Sequence, residues 1–271
     1  MRKLGLIAGG GSLPASLARH CLAAGRPLFV LRLKGFSGAE LAEFDGLEIG
    51  ITDVGGAFSA LRAAQCGAVC FAGTVKRPDF LDLTLPDAGR AAHQGDDGLL
   101  RFLVQKLENE GFSVEGAHQV MADLTLPVGP LGRVLPTQAD LADIARALDV
   151  ARSIGRLDVG QGAVSCDGLV LAVEAQEGTD AMLQRVAGLP EAIRGVDARR
   201  RGVLVKASKP GQETRVDLPT IGPRTLEFAA RAGLRGIAGE AGRLLIVERA
   251  RTETLADELG LFVFGIDADV P

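Results

Sequence analysis

Short apolar runs, several ended by glycine, alternate in the first half of the chain with stretches whose apolar positions recur every three to four residues. Leu4 to Ala8, Leu28 to Leu33, Leu47 to Ile51 and Ala68 to Ala72 are the runs, and they predict strands. Leu13 to Ala24, stopped by Gly25, and Phe58 to Gln65 carry the helical period. The order β-α-β-β-α-β that results predicts a largely parallel, Rossmann-like sheet. A further helix is expected over Asp97 to Glu110, where Leu99, Leu100, Leu103, Val104 and Leu107 share a face and Gly111 ends it, followed by a strand at Phe112 to Val114.

From Thr125 to Thr137 the period disappears into TLPVGPLGRVLPT, and the domain boundary is placed here. The expected division is an N-terminal domain over 1–128, a Pro/Gly linker over 129–137 and a C-terminal domain over 138–271. The second domain should open with a helix from Gln138 to Arg156, striped by Leu141, Ile144, Ala145, Leu148 and Ala151. Ala163 to Cys166 and Leu169 to Ala175 flank Asp167-Gly168, a two-residue hairpin signal. An antiparallel hairpin among crossover-linked strands makes this sheet mixed. The fold class is α/β throughout, and no internal repeat or low-complexity tract is present.

Composition narrows the classes of function. A formal charge of −4 and the absence of Trp and Tyr leave neither a basic surface nor a stacking platform for nucleic acid. No apolar run approaches the roughly 20 residues of a membrane helix, so the chain is expected in the cytoplasm. Cys21, Cys66, Cys70 and Cys166 lack C-x-x-C spacing and sit in apolar surroundings, which predicts reduced core thiols. His20, His93 and His118 form no paired metal motif.

The first strand ends in Gly9-Gly10-Gly11-Ser12, with Ser12 suited to cap the next helix. Gly10, Gly11 and Ser12 are candidates to meet phosphate. The dinucleotide fingerprint fails, because Pro14 stands where its third glycine belongs and the second strand ends in Lys34, not an acid. The strand at Ala68 ends in AGTVKRP, which adds Lys76 and Arg77 to the same expected edge.

Two loops in the second half concentrate charge. After the strand at Val203 come Lys206, Lys209, Gln212, Arg215 and Asp217, and then Thr220-Ile221-Gly222 before a helix opened by Pro223. Ammonium groups meet phosphate oxyanions, a carboxylate holds a metal ion, and a helix N-terminus offers backbone N–H groups to an anion. After the strand near Val170 come Glu174, Glu177, Thr179 and Asp180, with Thr179 placed as a cap. Singly these residues also suit solvated loops and helix starts. Their density at two strand ends points to a metal-phosphate centre.

The words GLIAGGGSLP, AGTVKRP, DDGLLR, LAVEAQEGTDAML and VLVKASKPGQETRVDLPTIGPRT, in this order along nearly the whole chain, resemble the LpxI family of UDP-2,3-diacylglucosamine pyrophosphatases. That resemblance implies hydrolysis to UMP and 2,3-diacylglucosamine 1-phosphate in lipid A biosynthesis, with water sent to the phosphorus on the sugar side and Mg²⁺ or Mn²⁺ required. It implies Asp217 as metal ligand or water-orienting base, Glu174, Glu177 and Asp180 as further metal ligands, and Lys206 and Lys209 as phosphate clamps. Thr179, Gln212 and Thr220 would hydrogen-bond the pyrophosphate or uridine, beside Gly10, Gly11, Ser12 and Lys76. A cleft closed by the Pro/Gly linker over the acyl chains, peripheral contact with the inner membrane and a homodimer complete the expectation. A soluble sugar-nucleotide enzyme and a non-catalytic lipid or nucleotide carrier stay open beside it.

Overall fold

A computed structural model describes residues 1–75 and 95–267, the first three of the latter as backbone alone, so Lys76, Arg77 and His93 lie outside the described residues. The chain divides into two compact units, one of 1–122 with Glu213–Asp217 and one of 123–212 with 218–271.

In the first unit, β1 (Leu4–Ala8), β2 (Leu28–Leu33), β3 (Gly46–Ile49), β4 (Ala68–Ala72) and β5 (Ser113–Val114) form a wholly parallel sheet in the order β3-β2-β1-β4-β5. That order is the doubly wound one, and it reverses direction at β1/β4. α1 (Leu13–Ala23), α2 (Val54–Ala63), α3 (Gly95–Asn109) and the short α4 (Ala117–Val120) connect or flank the strands. Leu31, Leu61 and Val69 pack with Val104 and Leu107 of α3, and Val216 returns from far along the chain to join them.

The second unit is a three-layer arrangement. Its sheet runs β6-β13-β11-β9-β7-β8, built from β6 (Gly129–Pro130), β7 (Gly162–Cys166), β8 (Leu169–Val173), β9 (Val203–Lys206), β11 (Gly236–Glu240) and β13 (Phe262–Ile266). β9, β11 and β13 are mutually parallel, while β7 lies antiparallel to both neighbours and β6 antiparallel to β13. Alternation along β9 sorts its two faces. Val203 and Val205 pack with Ile144, Leu148 and Ala151 of α5 (Gln138–Arg156), and Leu204 packs on the opposite side. That opposite face carries α6 (Gly178–Ala187), α7 (Pro223–Arg231) and α8 (Arg249–Leu259), with Met182, Leu183, Leu226 and Ala256 fully buried. The short β10 (Thr220–Ile221) and β12 (Leu245–Ile246) pair in parallel outside the main sheet.

The Asp167-Gly168 turn forms as its residue types require, with both residues at positive φ and the Asp143 carboxylate accepting both backbone N–H groups and the Ser165 hydroxyl. The stretch read as a linker is instead part of the second unit. Leu126 and Leu131 are buried in its core and Gly129-Pro130 pairs with Phe264-Gly265. Proline and glycine mark an edge strand here, a position where a missing N–H costs nothing. The division falls between Ala122 and Asp123, ahead of the expected one.

All four cysteines are free and buried. Burial raises the Cys21 and Cys66 thiols, pushes Cys70 to about 12 and Cys166 to about 11. Since the thiolate is the reactive form, native protein at mildly alkaline pH is expected to react with a thiol reagent far more slowly than protein unfolded in guanidinium. Rapid labelling of any cysteine in the folded state would contradict this burial.

Candidate functional site

The direction of the strands brings charge to one edge of the second unit. β8 and β9 both run antiparallel to β7, so their carboxyl ends lie together, and β11 is parallel to β9. Glu174 follows β8, Lys206 ends β9 and Glu240 ends β11. This is the edge at which open α/β sheets place ligands.

Lys206 and Glu174 are 4% and 6% exposed. Lys206 Nζ donates to Thr179 Oγ1 at 2.7 Å, and Thr179 Oγ1 donates to Glu174 Oε1 at 2.7 Å. The ammonium and the carboxylate stand 3.7 Å apart. The other carboxylate oxygen, Glu174 Oε2, is buried without a hydrogen-bond partner. Gly162 supplies its space, since a Cβ there would lie 2.5 Å from Oε2. A buried charge stripped of its partner costs about 3–5 kcal/mol, so these side chains hold each other in place.

Thr179 is therefore not the expected cap. α6 starts at Gly178 with Glu177 before it and no side-chain cap, and Thr179 sits inside the first turn with its single proton given to Glu174. The expected trio of acids is not gathered. Glu177 pairs with Arg185 at 2.6 Å and accepts the Ala175 N–H at 3.2 Å, while Asp180 pairs with Arg224 at 2.7 Å. Hydrogen bonds from its own backbone and from Arg185 hold the Glu177 carboxyl below its usual range.

The loop after β9 is braced from several sides. Ser208 N donates to Glu240 Oε2 at 3.4 Å and Ser208 Oγ to the Arg243 carbonyl at 3.2 Å. Arg152 of α5 donates to Glu240 Oε1 through Nε and Nη2, at 3.1 and 2.7 Å. Lys209 Nζ pairs with Asp158 at 2.7 Å, and the Lys209 N–H is accepted by Gln212 Oε1 at 2.9 Å. Reading the sequence missed Arg152, Asp158 and Glu240. Glu240 carried a signal, an acid closing the apolar run GIAGE, whereas Arg152 on α5 and Asp158 in the turn after it look like any polar positions.

Beyond Gln212 the chain joins the first unit for five residues, Glu213 to Asp217. Arg215 pairs with Glu108 of α3 at 2.7 Å and with Glu213 at 2.7 Å. Asp217 N donates to the Glu213 carbonyl at 3.1 Å. Back in the second unit, Thr220 Oγ1 donates to the Leu218 carbonyl, and the Gly222 N–H, expected to be free, is accepted by Thr225 Oγ1 at 3.3 Å.

In the first unit the glycine turn serves packing first. Gly10 and Thr74 exchange backbone hydrogen bonds at 2.8 and 2.9 Å, so the Gly10 N–H is already used. Gly11, at φ +85°, has open space on its side-chain face, and Ser12 makes no capping hydrogen bond.

The comparisons follow the same division. The LpxI N-terminal domain model matches residues 3–124 and the LpxI C-terminal domain model matches 127–264. The chain is 61% identical over 275 aligned positions, covering 98% of both chains, to "UDP-2,3-diacylglucosamine pyrophosphatase LpxI" of Caulobacter vibrioides.

Glu213 provides a pH test. Hydrogen bonding from Arg215 holds its carboxyl below the usual glutamate range. A depressed folded-state pKa favours folding when the group is ionised, so this contribution is complete above about pH 4.5 and disappears as pH falls through the lower, folded value. Glu213→Gln is expected to lower the urea midpoint at neutral pH, with the gap to the parent closing in acid. A gap that is constant with pH would remove the ion pair as its cause.

Proposed function

Because this chain belongs to the LpxI family, we propose that it hydrolyses the pyrophosphate bond of UDP-2,3-diacylglucosamine in lipid A biosynthesis. Water adds to the phosphorus on the sugar side and the bond from that phosphorus to the bridging oxygen breaks. UMP and 2,3-diacylglucosamine 1-phosphate leave. The observation that carries this reading is the identity to the Caulobacter enzyme over 98% of both chains. The charged carboxyl edge of the second sheet supports it, because phosphoryl transfer relies on positioning and on cations set against the non-bridging oxygens.

In this reading Lys206 and Lys209 bind diphosphate oxygens. Lys206 has two N–H donors beyond the one given to Thr179, and Lys209 exchanges an exposed carboxylate, Asp158, for phosphate. Asp217 holds the ion or orients the water, and Gln212 and Thr220 contact the pyrophosphate or uridine. Gly11 and Ser12 are available to the nucleotide at the head of α1.

A divalent ion, Mg²⁺ or Mn²⁺, is part of the proposal. Among the described residues no three His, Cys, Asp or Glu side chains are gathered to cage one. The ion proposed would sit on a single carboxylate, as Mg²⁺ commonly sits on one or two together with substrate phosphates. Asp217 is the carboxylate assigned to it, and the bound ion would neutralise charge developing on the phosphoryl oxygens. No helix among the described residues is long and apolar enough to cross a membrane, and access to the diacylated substrate is assigned to peripheral contact with the inner membrane.

Purified protein with Mg²⁺ and the diacyl substrate in mixed micelles is expected to release UMP, and in ¹⁸O water the label should enter the sugar phosphate. Asp217→Ala should lower kcat by about a thousandfold, as losing a group that acts on the reacting centre does, with the thermal midpoint little changed. Activity within tenfold of the parent would remove Asp217 from its role. Tight binding of substrate with no UMP released would favour a carrier, and cleavage of water-soluble UDP-sugars at a similar rate would favour a soluble sugar-nucleotide enzyme.

A further inference from the structure

We propose that Glu174 is a positioning residue which anchors Lys206 through Thr179, and that it touches neither the substrate nor the metal ion. The inference rests on the assignment of Lys206 to the diphosphate. Its grounds are geometric. Of the three acids after β8, Glu174 alone is buried, and its Oε1 faces Lys206 and accepts the Thr179 hydroxyl, while Glu177 and Asp180 turn to arginines. Its Oε2 is enclosed against Gly162 with no polar partner. Among the described residues the cation paired with Glu174 is Lys206.

The hydroxyl between them fixes direction. Thr179 has one proton, which goes to Glu174, so its oxygen receives the Lys206 N–H. One donor of the ammonium is thereby held inside the unit and the other two are left for a ligand. A lysine on a four-carbon stem loses much rotamer freedom when fixed. An anchor that bears this cost before ligand arrives improves both binding and orientation. Gly162 belongs to the same device, because a Cβ there would come within 2.5 Å of Oε2 and force the carboxylate to shift.

The test uses the full-length protein with Glu174→Gln, Lys206→Met, the double variant and Gly162→Ala. kcat/KM and the Mg²⁺ concentration for half-activation are measured for each, and the rate of Lys206 acylation by an N-hydroxysuccinimide ester, read by mass spectrometry, for the parent and the variants that keep Lys206. Glu174→Gln is expected to lower kcat/KM by about tenfold or more in the parent and to change it little once Lys206 is methionine, since residues acting as a unit are non-additive. Half-activation by Mg²⁺ should be unchanged, Lys206 acylation should be faster, and Gly162→Ala should reproduce both. Should Lys206→Met not fold, Thr179→Val takes its place, with rescue expected in Thr179→Ser.

Additive effects, or a raised Mg²⁺ requirement with unchanged acylation of Lys206, would overturn the proposal. The acylation measurement does not depend on turnover. If the parent releases no UMP, the hydrolase reading fails, and the labelling rate in Glu174→Gln still decides whether Glu174 holds the lysine.

Discussion

The second unit depends on strand direction. β8, β9 and β11 bring their carboxyl ends to one edge of the sheet, where Glu174 follows β8 and Lys206 and Glu240 end β9 and β11. The β7–β8 hairpin makes this possible, because a strand antiparallel to β9 must return through a tight turn before Glu174 can lie beside Lys206. The Asp167-Gly168 turn, held by Asp143, therefore reaches the opposite end of the sheet in its effect.

Charges at such an edge are expensive to enclose, and each is matched. Lys206 has Glu174, Lys209 has Asp158 and Arg152 has Glu240. Enclosed pairs of this kind are seldom the best use of interior volume for stability. Placement is the better account of why polar groups occupy positions that apolar ones would fill more cheaply. The pairs differ in how readily they can be exchanged. Asp158 and Arg152 are partly open to solvent, whereas Lys206 and Glu174 are closed in on each other. A phosphate can displace Asp158 from Lys209, whereas at Lys206 it has to use the donors that Thr179 leaves.

The first unit has the strand order of nucleotide-binding sheets without the glycine spacing of a dinucleotide fold. Its glycines at the first turn let two strand-end loops exchange hydrogen bonds at Gly10 and Thr74. The same unit takes in Glu213 to Asp217, fixed by Arg215 on Glu108 and by Val216 in the core. The segment containing Asp217 is thus folded by contacts that lie about a hundred residues back along the chain.

The sequence by itself determined the elements. The strands at Leu4, Leu28 and Ala68, the helix from Gln138 to Arg156 and the hairpin at Asp167-Gly168 all stand as their periodicity and turn chemistry predict, because these are local properties of side-chain spacing and backbone φ. Tertiary structure decided the partners. Nothing local shows that Thr179 gives its proton to Glu174 instead of capping a helix, that Glu177 and Asp180 turn away to arginines, or that the proline-rich stretch becomes an edge strand. Those outcomes depend on which chain segments the packed sheet brings within hydrogen-bond distance, and on the cost of leaving a charge there unpaired.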